Sequence, residues 1–232
     1  MTKKKDTQED YTKKIMIFFG IIVIIVIALL FTPRLFTSEP KTLDELHLEN
    51  YESPPTDRNY IYNGYSFIKF PEPGTNVEMW YTQYARDGYL FDLPMRHGPK
   101  DVENINKRII SPIPQGRNFT QMYITIDPKP REISRQYLTL AISEFSKKMT
   151  EVRQYPLVAA CTRNETDACL TRPIVACESD HDNLIMYFKE VEENNPPRIT
   201  IDGTCITIQG HEEELIKATY RVIYELLGII RA

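Results

Sequence analysis

An uncharged apolar run near the N-terminus constrains this chain more than any other feature of its sequence. The run from Ile15 to Phe31 reads IMIFFGIIVIIVIALLF, 17 positions without Asp, Glu, Lys or Arg. An α-helix of that length extends about 26 Å, close to the roughly 30 Å apolar thickness of a bilayer. The run also lacks the polar face of an amphipathic core helix. The sequence therefore predicts a single-pass transmembrane anchor over 15–36.

The charges that flank the run predict its orientation. Five lysines precede it and only Arg34 and Lys41 follow closely, and such residues are retained on the cytoplasmic side. We therefore expect a cytoplasmic tail over 1–14, a stalk or linker over 37–58, and an extracytoplasmic domain over 59–232 held at the cell membrane. A cleaved signal peptide is the alternative, but its apolar core usually spans about 7–15 residues and ends at a small-residue site. No such site follows the run.

The part of the chain beyond the tail is acidic. The tail holds five of the 28 basic and three of the 32 acidic residues, which leaves 23 and 29 and a net charge of −6. Nucleic-acid binding draws on a basic face, so we expect no nucleic-acid partner. The expected partners are the lipid bilayer and an envelope protein or glycan.

The four cysteines lie in one stretch of the extracytoplasmic part, and they are Cys161, Cys169, Cys177 and Cys205. An even number in such a compartment favours disulfide bonds. Free thiols and a zinc site are the alternatives, and zinc is disfavoured because the spacing contains no C-x-x-C pair and no nearby histidine pair. Of the three possible connectivities we favour 161–169, which would staple a polar loop, and 177–205, which would join two predicted strands.

Two hairpin signals open the domain. Asn63-Gly64 and Asp87-Gly88 each separate aromatic, β-branched runs, and such pairs form two-residue turns. The expected cross-strand pairs are Tyr62 with Tyr65, Tyr60 with Phe67, Tyr84 with Phe91, and Thr82 with Leu93. The rings then belong either to a packed sheet face or to an exposed platform that binds glycan or peptide. The residues of this possible binding surface are Tyr60, Tyr62, Tyr65, Phe67 and Trp80.

Strand and helix patterns alternate after the hairpins. Apolar residues recur at helical spacing over Arg131–Met149, and a second helix follows Gly210 with an acidic first turn and ends at Gly228. Strands are predicted at 121–127, 155–160, 173–177, 184–189 and 198–208, whereas 96–118 has the composition of a polar connector. The predicted fold class is α+β, with an N-terminal transmembrane helix and then a mainly antiparallel sheet with two helices packed on one face.

The sequence contains no pattern that predicts a catalytic, cofactor or metal site. The four histidines fall in no G-x-S-x-G or H-E-x-x-H motif. The segment 178–182 (ESDHD) is rich in metal-ligand types but lacks the Gly and distal Glu of a calcium loop. Two N-x-T sequons in predicted loops make Asn118 and Asn164 possible glycosylation sites.

Three stretches resemble a known group of proteins: YNGYSF (62–67), LPMRHGPKDVENI (93–105) and IDGTCITIQG (201–210). They are similar to an uncharacterised family of small archaeal single-pass membrane-anchored proteins. The resemblance implies an archaeal cell surface and no particular activity. We therefore expect a membrane-anchored extracytoplasmic binding or structural module of the cell envelope. The alternative is an extracytoplasmic hydrolase that uses His97 or His181 with a nearby carboxylate or serine.

Overall fold

A computed structural model describes residues 16–27, 41–116, 119–129, 135–178 and 182–231. The chain divides into two compact units, 1–45 and 46–232. In the first unit residues 16–27 are helical (α1), and their large apolar side chains are exposed. Among the described residues no helix combines the length and the apolar character needed to cross a bilayer. The predicted anchor is described only over 16–27, and the predicted tail lies outside the described residues.

A capping box starts helix α2 (Leu43–Glu52). The backbone N–H of Thr42 donates to the Glu45 carboxylate at 2.8 Å, and the N–H of Glu45 donates to the Thr42 hydroxyl at 3.3 Å. This reciprocal pair satisfies two donors that the first helical turn leaves without partners. The helix start is therefore encoded locally, by two residues three positions apart.

The first sheet is an antiparallel meander. Its strands β1 (Asn59–Tyr62), β2 (Tyr65–Pro71), β3 (Glu78–Arg86) and β4 (Tyr89–Met95) are adjacent in chain order. All four turn residues of the Asn63-Gly64 and Asp87-Gly88 pairs have positive φ, as two-residue hairpin turns require. The predicted register is confirmed, since the four expected cross-strand pairs are all formed.

Six strands form the second sheet, in the order β5-β9-β10-β8-β6-β7. They are β5 (Asn106–Ser111), β6 (Met122–Ile126), β7 (Leu157–Cys161), β8 (Leu184–Glu190), β9 (Arg198–Asp202) and β10 (Cys205–Gly210). In this described sheet only β9 and β10 pair antiparallel. The α+β class with an antiparallel sheet is confirmed, but the second sheet is mainly parallel. A long connection joins β6 to β7, and parallel neighbours require such crossovers.

Two segments have a different secondary structure from the one that the sequence predicts. The range 96–118, predicted to be a connector, contains the short helix α3 (Pro99–Val102) and strand β5. β5 is an edge strand with most of its side chains exposed, so it lacks the buried apolar alternation by which strands are recognised. The predicted strand 173–177 forms only an isolated bridge, between Ile174 and Cys161.

Helices α4 (Arg135–Lys148) and α5 (Glu213–Leu226) confirm the two predicted amphipathic helices. α4 continues into a π-helical turn, Met149–Arg153. Phe145 of α4 meets Phe188 of β8 edge to face, with ring centroids 5.7 Å apart. Both helices and the inner faces of both sheets contribute to one hydrophobic core.

Residues 162–178 connect β7 to β8 and cover the opposite face of the second sheet, because Val175 packs there on Ala160 and Ile185 in a second, smaller core. The segment contains a 3₁₀ turn, Asp167–Cys169. Both predicted disulfides are confirmed, with Cα separations of 5.9 Å for Cys161–Cys169 and 5.4 Å for Cys177–Cys205. Disulfides are typical of an oxidising, extracytoplasmic environment.

Candidate functional site

The five predicted binding-surface rings belong to the main hydrophobic core. Tyr60, Phe67 and Trp80 are buried, and Tyr62 and Tyr65 are half-buried against the same core. Tyr60 stacks on Phe67 with centroids 5.6 Å apart and meets the edge of Trp80 at 4.8 Å. The rings contact neighbours within the chain, and this favours the packed-face interpretation over an exposed platform.

His97, a candidate of the hydrolase hypothesis, lies just beyond β4 and contacts α5. Its Nε2 is 2.7 Å from Oε1 of Glu213, and its ring meets Tyr220 edge to face at 5.7 Å. A carboxylate can orient an imidazole that acts as a base. Among the described residues, no hydrogen bond links this ring to a serine, threonine or cysteine. The geometry therefore supplies a base and its orienting carboxylate but not a nucleophile.

A half-buried acid, Glu144, binds the neighbours of His97. Glu144 of α4 accepts hydrogen bonds from Nε of Arg96 at 3.1 Å and from the hydroxyl of Tyr220 at 2.7 Å. Burial, reinforced by the Glu144 charge, raises the pKa of Tyr220 far above its ordinary value, so the phenol remains a donor. The network joins the end of β4 to α4 and α5, and its contacts are those of a structural hydrogen-bond network.

A second histidine contact was missed by the sequence analysis. Nδ1 of His47 lies 2.8 Å from Oγ of Ser66, and the Asn50 amide donates to the same hydroxyl at 2.8 Å. A nucleophilic serine must reach its substrate, yet all three residues are at most 3% exposed. The trio therefore fastens α2 to β2. His47 and Ser66 are 19 positions apart, and the residues between them carry no motif that would have revealed the contact.

The remaining candidates are scattered. Nδ1 of His211 is 3.3 Å from the carbonyl oxygen of Val191. Asn164 is exposed in the loop closed by Cys161–Cys169, whereas Asn118 and His181 lie outside the described residues. Across the described ranges, no three His, Cys, Asp or Glu side chains are placed to hold a metal ion.

An open strand edge and an apolar cavity lie together beside β5. β5 is the outermost strand of its sheet, pairs with β9, and exposes Ile109 by 55% and Ile110 by 56%. A cavity of about 260 Å³ opens between β5, β9 and α5. Its apolar lining residues are Ile109, Pro112, Ile113, Ile199, Ile201, Ile206, Val222 and Leu226.

The charged end of this cavity is held by an ion-pair network. Nζ of Lys107 is 3.2 Å from both carboxylate oxygens of Glu225, and Nε of Arg221 donates to the same carboxylate at 2.8 Å. These side chains are 11–14% exposed, so the charges are largely desolvated and fixed in position. The cavity is therefore an apolar slot with one rigid polar end, the usual arrangement of a binding site.

No family model, no curated protein and no solved structure matches this chain. The geometry of the chain itself is therefore the guide to its function. The only sequence signal for the β5 site is the Ile109-Ile110 pair between Arg108 and Pro112, which was assigned to a connector.

Proposed function

We propose that this chain is a membrane-anchored extracytoplasmic binding module of the cell envelope. The uncharged run of 15–31 and the lysines before it support the anchor and its orientation. The exposed apolar side chains of α1 suit a lipid environment. The two disulfides support exposure of the main domain to an oxidising compartment.

The binding role rests on one observation, the open and apolar edge of β5. An extended peptide can add itself to such an edge as a further strand, with its backbone supplying affinity and its side chains supplying specificity. We propose that the occupant is an extended apolar segment of another envelope protein. It would pair with β5 between Asn106 and Ile109 and cover Ile109 at the mouth of the apolar cavity.

Charge on the strand narrows the chemistry of that segment. Arg108 is exposed in the middle of β5, while Lys107 is already paired with Glu225. An acidic residue opposite Arg108 would contribute about 0.2–1 kcal/mol, whereas a basic one would oppose binding. The preferred segment is therefore apolar with an acidic residue at its centre.

Synthetic peptides test the β5 assignment. The probe is a fluorescein-labelled peptide of alternating valine and threonine with one central glutamate, titrated by fluorescence anisotropy into the full chain in lipid nanodiscs. We expect Ile109→Lys to weaken binding at least tenfold, because it removes apolar contact and adds a charge to be desolvated. Leu170→Lys is the matched control, since Leu170 is 68% exposed in a different segment, and it should bind as the unmodified chain does.

Three results would contradict this assignment. They are an absence of binding, equal binding by the two variants, and tighter binding of a peptide with lysine in place of the glutamate. Light scattering on the same samples adds a further check. A dimer that Ile109→Lys converts to a monomer, without peptide binding, would identify a second copy of the chain as the occupant.

The anchor is tested separately, by translation of the full chain with microsomes. The Asn164 sequon is modified only if the main domain crosses the membrane, so a glycosylated product that resists alkaline extraction is expected. Replacing both Asn118 and Asn164 by Gln is the control and should remove the mass shift. Arginine at the centre of a membrane helix costs about 2.5–3.5 kcal/mol, so Val23→Arg with Ile24→Arg should release the protein. A wild-type product that is unglycosylated and extractable refutes the anchor.

A further inference from the structure

A polar cavity of about 260 Å³ lies on the other side of the second sheet from α4 and α5. It opens at the carboxyl ends of the adjacent parallel strands β6 and β7, where Asp127 follows β6 and Thr162 follows β7, and it extends to Tyr187 in the middle of the neighbouring strand β8. Ligands of open parallel sheets bind outside the carboxyl ends of the strands. The fourth wall comes from residues 176–178 of the connecting segment.

The two disulfides hold the walls of this cavity in place. Cys161–Cys169 closes the loop that begins next to Thr162, and Cys177, itself a lining residue, is bonded to Cys205 of β10. The disulfides tie the connecting segment to the sheet at two points, so it loses little conformational entropy when a ligand binds. A smaller entropy loss leaves more of the interaction energy for affinity. The cavity is therefore preorganised.

The lining offers both donors and acceptors. Arg163 donates to Oδ2 of Asp127 at 2.8 Å and contacts the Glu165 carboxylate at 3.1 Å, so two of its five N–H groups are engaged. The Thr162 hydroxyl is buried and has no hydrogen-bond partner within the described part of the chain. A buried hydroxyl without a partner is costly, and rotation of the Thr162 side chain toward the cavity that it lines would let a ligand supply the missing bond.

The charges that line the cavity almost balance, with two carboxylates against one guanidinium, and Glu165, outside the lining, pairs with both Arg163 and Lys129. Asp127 and Glu178 oppose Arg163, and the charges of all three act on the Tyr187 phenol, whose pKa is raised mainly by its partial burial. A phosphate would meet two carboxylates beside the one guanidinium. A cation site would need more acidic ligands, and the described residues contain no metal-binding cluster. The balance suits a neutral ligand that both donates and accepts hydrogen bonds.

We propose that this cavity binds a single sugar residue of an envelope glycan. Vicinal hydroxyl groups would accept from Arg163 and donate to Asp127 and Glu178, while the Thr162 hydroxyl gains its missing partner. The half-buried ring of Tyr187 offers an apolar surface to the C–H face of the sugar. The inference rests on the proposed extracytoplasmic location but not on the β5 edge, and its readout is independent of the peptide assay.

Saturation-transfer-difference NMR tests the proposal on the full chain in lipid nanodiscs, without glycoside detergents. The chain is produced without N-glycosylation, so that Asn164 carries no competing glycan. The probes are the methyl glycosides of D-glucose, D-galactose, D-mannose and N-acetyl-D-glucosamine, at millimolar concentration. Saturation transfer to at least one of them is expected, and a titration then gives its dissociation constant.

Variants locate the binding. Thr162→Val removes one neutral hydrogen bond and should weaken binding about twofold to tenfold, and Arg163→Ala removes charge-assisted bonds and should weaken it more than tenfold. Thr171→Val, on the exposed surface of the same segment, is the matched control and should bind normally. Saturation transfer to none of the probes overturns the proposal, as does binding that both cavity variants retain. Without a sugar signal, calorimetric binding of inorganic phosphate that Arg163→Ala abolishes, or of Ca²⁺ that Asp127→Ala abolishes, would assign the cavity to an ion and overturn the proposal too.

Discussion

Phe67 of the first sheet meets Tyr224 of α5 edge to face, with ring centroids 5.9 Å apart and an interplanar angle of 77°. Both side chains are fully buried, and the Tyr224 hydroxyl also donates to the carbonyl oxygen of His97 at 2.5 Å. The antiparallel sheet is thereby joined to a helix that packs on the parallel one. The two sheets share a core and should unfold together.

Truncation of this contact should destabilise the whole domain. Phe67→Ala removes a buried aromatic ring, and such changes cost about 3–5 kcal/mol of the free energy of unfolding. Urea denaturation followed by tryptophan fluorescence reports on the first sheet through Trp80, and far-UV circular dichroism reports on the helices. Both transitions should shift together. Tyr89→Ala, at a position 72% exposed, should change the free energy by less than about 0.5 kcal/mol. A shift of the fluorescence transition alone would contradict the shared core.

The two disulfides should contribute different amounts to the free energy of unfolding. Their cysteines are 8 and 28 residues apart, and the loop-entropy relation assigns about 2.5 kcal/mol to the shorter loop and about 3.6 kcal/mol to the longer. Replacing both cysteines of one pair by serine isolates each bond. The Cys177–Cys205 variant should unfold at the lower urea concentration, and the opposite order would show that loop length does not control their effect.

Asn50 should contribute more to the free energy of unfolding than an exposed neighbour on the same helix does. Its buried amide donates to the carbonyl oxygens of Tyr60 and Phe67, both at 3.1 Å, and to Oγ of Ser66. Asn50→Ala leaves these acceptors without that donor, which costs about 1–3 kcal/mol in the free energy of unfolding. Leu48→Ala, at a position 70% exposed, is the control. Equal stability of the two variants in urea would show that α2 does not depend on this contact.

Local signals in the sequence predicted local structure. Asn63-Gly64 was sufficient to predict the hairpin and its register, because a two-residue turn determines which side chains face each other. The four cysteines lay on predicted loops and strands, and this favoured the observed pairing. The apolar stripe from Leu215 onward likewise predicted α5.

Contacts between distant segments could not be predicted in this way. The parallel pairing of β10 with β8 matches Cys205 with Ile185, and no local pattern specifies which strands become neighbours. The polar cavity is one consequence, since it gathers Asp127, Thr162 and Tyr187 from three strands. Each of them is ordinary in its own sequence context. The β5 edge was missed for the opposite reason, because exposure removed the alternation that identifies a strand.

Lys148 should make the stability of the domain depend on pH. It lies at the end of α4 and is 1% exposed. Burial lowers the pKa of its ammonium group, and the carboxylates of Glu144, Glu151 and Glu72 oppose that shift while Lys147 adds to it. Because the pKa is lower in the folded state, the unfolded chain binds more protons between the two pKa values. The free energy of unfolding therefore rises with pH across that window.

Replacing Lys148 tests this relation. Lys148→Met keeps an unbranched apolar chain and removes the charge, so it should raise the free energy of unfolding at neutral pH and flatten its increase as the pH rises toward the ordinary lysine pKa of about 10.4. The measurements stop at about pH 10, where the phenols of the unfolded chain begin to ionise. Burial raises the pKa of Tyr220 and Tyr224 in the folded chain, so at higher pH both residues lower the free energy of unfolding. Lys147→Met, on the exposed side of the same turn, removes only the minor contribution of the Lys147 charge and should reduce the slope far less than Lys148→Met does. Urea titrations across this range measure the slope for each variant. If Lys148→Met leaves the increase of the unfolding free energy with pH unchanged, the Lys148 ammonium group is hydrated in the folded chain and pays no desolvation cost.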